Sequence, residues 1–522
     1  MWRDGLLSIA WNIGIRGKIW NIIDSLYNNV LCNVKFGDIV TDFFEIDEGV
    51  KQGCVLSPIL FCVYINELAK MLTSHNVGVS ICNVNISCLF WADDVVLIAE
   101  NEDDLNRMLD IAADFSRNWQ LNFNHAKSNV LIAGKKINRN KLWKLGDNYI
   151  SEVDSYKYLG VNINRNMSDH THVNDLICKG NRLIGYIKSI INGHDDFNRV
   201  YYGDILWRTL ALPALNYACA ISTYSASDYK KFEKLQIQMA RAILKAPRNT
   251  ASQALIGDLG WDTIECIHNR LKVNYYSRLH NMDPHRWPKL LFNATFIMHD
   301  HNTNLRWKWL KSIQHILCEH EMNSSFSNLQ YDNPGWINKF KVNGVHNNCL
   351  QWYYNACDKS SLKFYVMFKS HPYMETYLMD KLDFYGSSLK FRARANVLPL
   401  DGRLRSWVIG NDGTCTLCRN GLEDIKHFML SCDALSLIRD NEMYKLYCNL
   451  KELGLLYIWN LFNSCDDDTK LCMVLGSHYF NVMYNLEGVT IDTQFDSFCK
   501  SYLKRAWSCR TVLKKHLTIV DV

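Results

Sequence analysis

Two groupings of residues in this 522-residue chain have the chemistry to act. The first is Asp93-Asp94, in the segment Trp91-Ala92-Asp93-Asp94 between the apolar runs Ile86–Phe90 and Val95–Ala99. Those runs read as two strands, which puts the acids at the tip of a hairpin. Adjacent carboxylates on rigid strands repel each other unless a cation lies between them or both face water, and oxygen ligands suit Mg²⁺. A plain polar turn is the other reading of the bare pair. The second grouping is Cys415-Thr-Leu-Cys418, His427 and Cys432, a C-x2-C-x8-H-x4-C spacing. A C-x-x-C knuckle between Gly413 and Gly421 brings two thiolates together. A helix from about Glu423 then presents His427 before Cys432 closes a tetrahedron around a structural Zn²⁺. Here the competing reading is four unlinked residues in a chain of 19 cysteines.

The elements that must position the acids follow from periodicity and turn residues. Residues 5–30 read as two short helices broken at Gly14–Gly17, with Ile19, Ile22, Ile23 and Leu26 at helical spacing in the second. Val30–Phe36 and Ile39–Ile46 read as strands joined through Gly37-Asp38. After the loop Gly49-Val-Lys-Gln-Gly53, Ser57 as N-cap and Pro58 as first helical residue open a helix to about Thr73. Asn101 caps a further helix whose stripe is Leu105, Met108, Ala112, Phe115 and Trp119. The order is helix, hairpin, helix, acidic hairpin, helix, an α+β pattern. From about His170 strand signals thin out. Helices are expected over Leu176–Ile191, Val200–Leu212 and Tyr229–Leu244, with Pro213 opening a short one to about Tyr224 and mostly helix over 262–460.

Three more segments stand in a fixed order around the acids: Gln52-Gly53-Cys-Val-Leu-Ser57-Pro58 before them, and Asn124-His-Ala-Lys127-Ser128 and Tyr158-Leu159-Gly160 after them. On its own, Lys127 is as well read as an exposed loop lysine and Gly160 as a turn glycine. Taken together with Ala-Asp-Asp, the set resembles the reverse transcriptase domain of non-LTR (LINE-type) retrotransposons. A weaker likeness runs on through Leu212-Pro213-Ala-Leu-Asn-Tyr217, Leu259-Gly260-Trp261, Phe391-Arg-Ala-Arg394 and the zinc spacing. The resemblance implies an RNA-directed DNA polymerase using two Mg²⁺ ions. Asp93 and Asp94 would bind metal, Gln52, Gly53, Ser57 and Pro58 would shape the nucleotide and template pocket, and Lys127 would meet the triphosphate. Tyr158, Leu159 and Gly160 would form the primer grip. The implied partners are RNA template, DNA primer or target and dNTPs, and the zinc region would help to hold target DNA or template RNA.

Two departures qualify that expectation. Trp91 stands where the family has Tyr or Phe. Family members also bring a further aspartate from a strand ahead of a segment like Trp2-Arg-Asp-Gly-Leu-Leu7, whereas this sequence begins at Met1. Glu45 and Asp47 are poor substitutes, lying in the lead-in to the Gln-Gly loop. The expectation is therefore an N-terminally truncated, inactive polymerase. Its rival is a non-catalytic nucleic-acid-binding or scaffold protein of the same descent.

Composition sets the outer limits. At 48% hydrophobic and 21% charged with 8 prolines, the chain is globular. Its longest apolar run, Cys54–Ile65, holds Ser57 and Pro58 and is too short to span a bilayer. No secretory signal is visible, and the cysteines read mostly as buried thiols of a reducing compartment, cytoplasmic or nuclear. Residues 1–167 carry 16 Lys+Arg against 19 Asp+Glu, and the rest 42 against 34. That leaves an acidic front and a basic rear, which fits an acid-bearing site fed by a basic surface, or simply solvated charge. Arg306-Trp-Lys-Trp-Leu-Lys311 and Lys363-Phe-Tyr with Lys369 are equally readable as nucleic-acid contacts or as amphipathic helices. The expected architecture is a partial fingers/palm α+β reverse transcriptase domain (1–167) and a thumb-like helical region (168–263). A helical connecting region (264–400), a zinc module (401–440) and a helical tail (441–522) follow.

Overall fold

The computed structural model describes residues 1–82, 84–134, 142–193, 198–300, 307–322, 335–380, 383–406, 408–476 and 489–520. Contacts gather them into two units, Met1–His172 with Leu279–Leu310, and Val173–Arg278 with Lys311–Val522. Among the described residues no helix is long and apolar enough to cross a membrane.

The first unit begins with α1 (Arg3–Asn12) and α2 (Lys18–Tyr27), separated where Gly14 and Gly17 take positive φ. A long hairpin arm follows, built from β1 (Leu31–Cys32), β2 (Lys35–Phe36), β3 (Ile39–Val40) and β4 (Phe44–Glu45). Phe36 pairs with Ile39 across Gly37-Asp38, and Leu31 with Glu45 at the base. Then come α3 (Ser57–Ser74), β5 (Val79–Ile81), β6 (Val84–Ile86), β7 (Cys88–Trp91), β8 (Asp94–Leu97) and α4 (Glu102–Trp119). The Asn101 side chain caps α4 by accepting from Asp104 N at 2.8 Å, and Glu102, Asp103 and Asp104 complement the helix dipole. The stripe expected on α4 is its inner face. Leu6, Leu60, Tyr64, Leu68, Met108 and Phe115 share one core, with Tyr64 edge-on to Phe115 and Trp119 and its hydroxyl donating to the Trp119 carbonyl. The remaining strands are β9 (Asn129–Val130), β10 (Trp143–Leu145), β11 (Asn148–Glu152), β12 (Ser155–Tyr158) and β13 (Val161–Asn164). Strand β9 runs parallel to β11, and β12 pairs with β13.

The second unit is helical. It holds α5 (His170–Asn192, which begins in the first unit), α6 (Arg199–Leu206), the short α7 (Leu212–Leu215), α8 (Ala226–Leu244) and α9 (Ser252–Leu259). Later helices are α10 (Gly335–Cys357), α11 (Phe384–Arg394), α12 (Ser436–Glu452), α13 (Leu456–Ser464), α14 (Asp467–Leu475) and α15 (Val489–Val520). A charged cluster sits inside its core. Arg394 forks onto Asp258 at 2.9 and 3.0 Å and reaches Glu375 at 2.6 Å, while Lys369 pairs with Glu375 at 2.7 Å. The Tyr365 and Tyr377 hydroxyls donate to the two oxygens of Asp258. Two acids and two bases, all fully buried, thus neutralise one another.

Several local expectations need correction. Ser57 does not cap α3; it is the first helical residue, Pro58 the second, and the Ser57 hydroxyl donates to the Lys51 carbonyl at 2.6 Å. The helix at Pro213 stops at Leu215 and gives way to turns. Only five cysteines (Cys219, Cys415, Cys432, Cys472, Cys499) are buried, because many of the others, such as Cys62 and Cys178, fall on the solvent sides of helices. Lys369 and Tyr365 are core residues rather than a phosphate grip, and Arg306 lies outside the described residues.

Candidate functional site

Strands β7 and β8 pair in register from Cys88↔Leu97 to Trp91↔Asp94, leaving Ala92-Asp93 as a two-residue turn. Ala92 has φ +51 while Asp93 stays at negative φ, the pattern of a type II′ turn, whose first position favours glycine. A side chain held there is strained, and such strain gathers at functional sites. Phe90, Val95 and Leu97 anchor the hairpin on the α3–α4 core, so the tip is exposed but fixed. Asp93, Asp94 and Trp91, the last 65% exposed, all stand in solvent. Among the described residues β7 and β8 form a sheet of their own, with no third strand beside them.

The other expected residues fall into two sets. The Tyr158-Leu159-Gly160 turn closes the β12–β13 hairpin with both Leu159 (φ +47) and Gly160 (φ +79) left-handed, a type I′ turn. Burial and the charge of Asp94 raise the Tyr158 hydroxyl pKa, so the two turns are electrostatically in touch. Lys127 is exposed on a turn in which its N–H donates to Asn124, and its carbonyl accepts from the Tyr156 hydroxyl of β12 at 3.0 Å. Its ammonium has no carboxylate partner among the described residues. Around Gln52 and Gly53 the chain is an exposed loop, with Gly53 at φ +82. The loop is held at its start by a residue that sequence reasoning missed. The Arg3 guanidinium donates to the carbonyls of Ile46 (2.5 Å), Tyr27 (3.0 Å) and Gly49 (3.3 Å), and Gly49 N donates to Met1 O. No periodicity signals such a clamp; only an arginine beside an apolar helix start hinted at it.

The zinc spacing converges. The sulfurs of Cys415, Cys418 and Cys432 and a His427 ring nitrogen lie within 4.8 Å of one another, with Cys415 Sγ 3.9 Å from Cys432 Sγ and Cys418 Sγ 3.3 Å from His427 Nε2. Tetrahedral Zn²⁺ at 2.3 Å from sulfur needs about 3.8 Å between sulfurs. The donor set and its spacing therefore fit a structural zinc. Cys415 N donates to Gly421 O and Arg419 N to Cys415 O, folding the knuckle, with Gly413, Arg419 and Gly421 left-handed. The second half differs from the expected helix at Glu423. Helix begins only near Ile425, and His427–Ser431 is a π turn whose Cys432 N–H donates to the His427 carbonyl at 2.8 Å. Burial, followed by its neighbouring thiols, pushes the Cys432 thiol up to about 12, so a metal bound there has to displace its proton.

The acidic tip fits a metal less completely. Its oxygen donors suit Mg²⁺, but among the described residues the Cys3His set is the one group of three or more potential ligands.

The sequence family "Reverse transcriptase (RNA-dependent DNA polymerase)" matches residues 1–163. These residues are a reverse transcriptase domain. The chain is 24% identical over 285 residues to the probable RNA-directed DNA polymerase from transposon X-element of Drosophila melanogaster, covering 52% of this chain and 30% of that protein. It is 25% identical over 252 residues to the Pol polyprotein of a type-1 retrotransposable element R2 of Popillia japonica, covering 46% and 40%. With the polymerase from mobile element jockey of Drosophila funebris the figures are 22% over 293 residues, 53% and 31%. The chain thus spans well under half the length of these relatives. The Asp93-Asp94 tip, the Gln52-Gly53 loop, Lys127 and the Tyr158 turn all lie within the reverse transcriptase domain.

Proposed function

We propose that the reverse transcriptase domain is the fingers and palm of an RNA-directed DNA polymerase. In this reading Asp93 and Asp94 hold Mg²⁺ for in-line transfer of a nucleotide from a dNTP to a DNA primer on an RNA template. The observation that supports it is the hairpin tip itself, two adjacent exposed carboxylates on a two-residue turn fixed to the α3–α4 core. Gln52 and Gly53, backed by Ser57 and Pro58, then border the nucleotide. Lys127, on a turn braced by β12 and without a carboxylate partner among the described residues, faces phosphate. Tyr158, Leu159 and Gly160 hold the primer end. The Cys415-Cys418-His427-Cys432 centre binds Zn²⁺ structurally and stiffens a helical region that grips template or target, in an intracellular setting.

A second reading, a non-catalytic nucleic-acid-binding protein, is favoured by one observation. Two-metal chemistry draws carboxylates from two strands, and no third ligand joins Asp93 and Asp94 among the described residues. Primer extension on an RNA template with Mg²⁺ separates the readings. A form supplied with a second aspartate-bearing strand is expected to extend the primer, and Asp93→Ala in that form to abolish extension. Residues 1–522 alone should be at least about a hundredfold slower, the equivalent of roughly 2.7 kcal/mol of lost transition-state stabilisation. Absence of extension from every form, with RNA binding retained, selects the second reading.

A further inference from the structure

The Glu423 carboxylate lies where a zinc-bound thiolate tolerates a negative charge least. Its Oε1 is 3.9 Å from Cys415 Sγ, and the residue is 0% exposed. Three thiolates and a neutral imidazole around Zn²⁺ already carry one net negative charge, so an unanswered carboxylate in a water-poor surrounding opposes deprotonation and metal capture. The answer comes from α15. Arg510, 5% exposed, donates Nε to Glu423 Oε1 at 2.7 Å and Nη2 to Oε2 at 2.6 Å, a bidentate pair. Glu423 Oε2 also accepts from Asp401 N at 2.6 Å. Asp401 in turn accepts from the Thr416 hydroxyl, inside the knuckle, at 2.9 Å and pairs with Lys514 of α15. Glu423 and Asp401 are thus both neutralised from a single helix that begins 57 residues after Cys432.

We propose that Arg510 is a positioning residue for the Cys3His centre. Through Glu423 it cancels the charge beside Cys415 and fixes the knuckle, which makes the C-terminal helix part of the zinc site. The proposal rests on the zinc reading given above. It predicts that the site is completed only when α15 is docked. Docking does not depend on Arg510, because α15 is also held by Lys500 to Asp380, Lys504 to Asp383 and Arg505 to Glu442, and its own Asp496 pairs with Lys390.

The test is zinc affinity of the full chain, measured by competition with a chromophoric chelator, with Co²⁺ absorption reporting ligand geometry. Arg510→Met should weaken zinc binding 10- to 100-fold, the range typical of lost outer partners. The double variant Glu423→Gln/Arg510→Met should recover most of the loss, since both charges leave together. Glu423→Gln alone should bind zinc at least as tightly as the parent, because the carboxylate charge beside Cys415 is gone while the guanidinium stays. Unchanged affinity in Arg510→Met, a double variant no better than the single one, or a tenfold loss in Glu423→Gln would each overturn the proposal. A parent chain that takes up no zinc, like Cys415→Ser, would overturn the zinc reading instead.

Discussion

The acidic tip and the cysteine centre solve opposite problems. Asp93 and Asp94 are sequence neighbours on one turn, exposed, with nothing among the described residues beside the hairpin to complete a ligand set. The four zinc donors are spread over 18 residues, two of them 1% exposed, and the charges around them are matched from α15. On the proposed reading the first arrangement keeps open positions, as an ion that must also coordinate substrate phosphates requires. The second is closed, as a structural metal requires. If both readings hold, exposure of a ligand set separates a site that waits for a substrate from one that belongs to the fold.

Metal removal is the widest test of that contrast. Excess chelator, or Cys432→Ser, should lower the melting temperature of the helical unit by at least about 10 °C, since structural zinc contributes folding free energy directly. Asp93→Ala should leave every melting transition in place, because a change at an exposed tip falls within about 0.5 kcal/mol. Thermal melts of both variants with and without zinc read the outcome, and equal shifts in the two would erase the distinction.

The same contrast decides what could be seen in advance. Both ligand sets are local strings, so residue type and spacing exposed them; Ser57-Pro58 marked the start of α3, and helix phase exposed α4 along with its buried face. The partners that make the sites work are long-range. Arg510 reaches Glu423 across 87 positions, Arg394 reaches Asp258 across 136, and Arg3 reaches the start of the loop across 43 to 46. Pairings of that range leave no period to read. The Leu259-Gly260-Trp261 motif shows the same limit. In the sequence Gly260 stands only as part of the weaker likeness, whereas in the structure a Cβ there would lie 2.3 Å from Met374 N, where residues 373–375 pair with the end of α9. Trp261 is fixed by stacking on Trp207 and by donating to Asp204 at 2.6 Å.

Within the helical unit, Arg394 sharpens the comparison without involving metal. Arg394→Met leaves Asp258 and Glu375 buried with Lys369 as their one cation, and should cost about 3–5 kcal/mol in denaturant unfolding at pH 7. Burial raises the Asp258 pKa, but Arg394 and Lys369 outweigh it and hold it below the ordinary carboxylate value. A depressed carboxylate stabilises the fold above its unfolded pKa, and that contribution fades as pH falls through the native value. In the variant the same acid takes a proton more readily, which relieves the unpaired charge. The gap between parent and variant should therefore narrow from pH 7 towards pH 4, and a constant gap would mean that lost packing, not lost charge, is responsible.

The smallest expected effect lies on the open side. Arg3 holds its loop through backbone carbonyls rather than carboxylates, with the Glu48 carbonyl at 3.5 Å the weakest of the four contacts. Its guanidinium also lies over the Tyr27 ring, whose hydroxyl approaches Ser57 at the start of α3. Charged hydrogen bonds to neutral acceptors are worth about 1.5–3 kcal/mol each when sheltered, less where water competes as it does here. Arg3→Ala should therefore cost the reverse transcriptase domain only about 1–2 kcal/mol. It should also speed amide exchange at Gly49, Cys54 and Ser57, whose N–H groups donate within the clamped segment. Arg3→Lys should restore little, since one ammonium cannot fork across carbonyls from Tyr27, Ile46 and Gly49. Because no ion pair is involved, the loss should be the same at low and high salt, in contrast to a surface salt bridge. A strongly salt-dependent loss would show that charge attraction, not donor geometry, holds the loop.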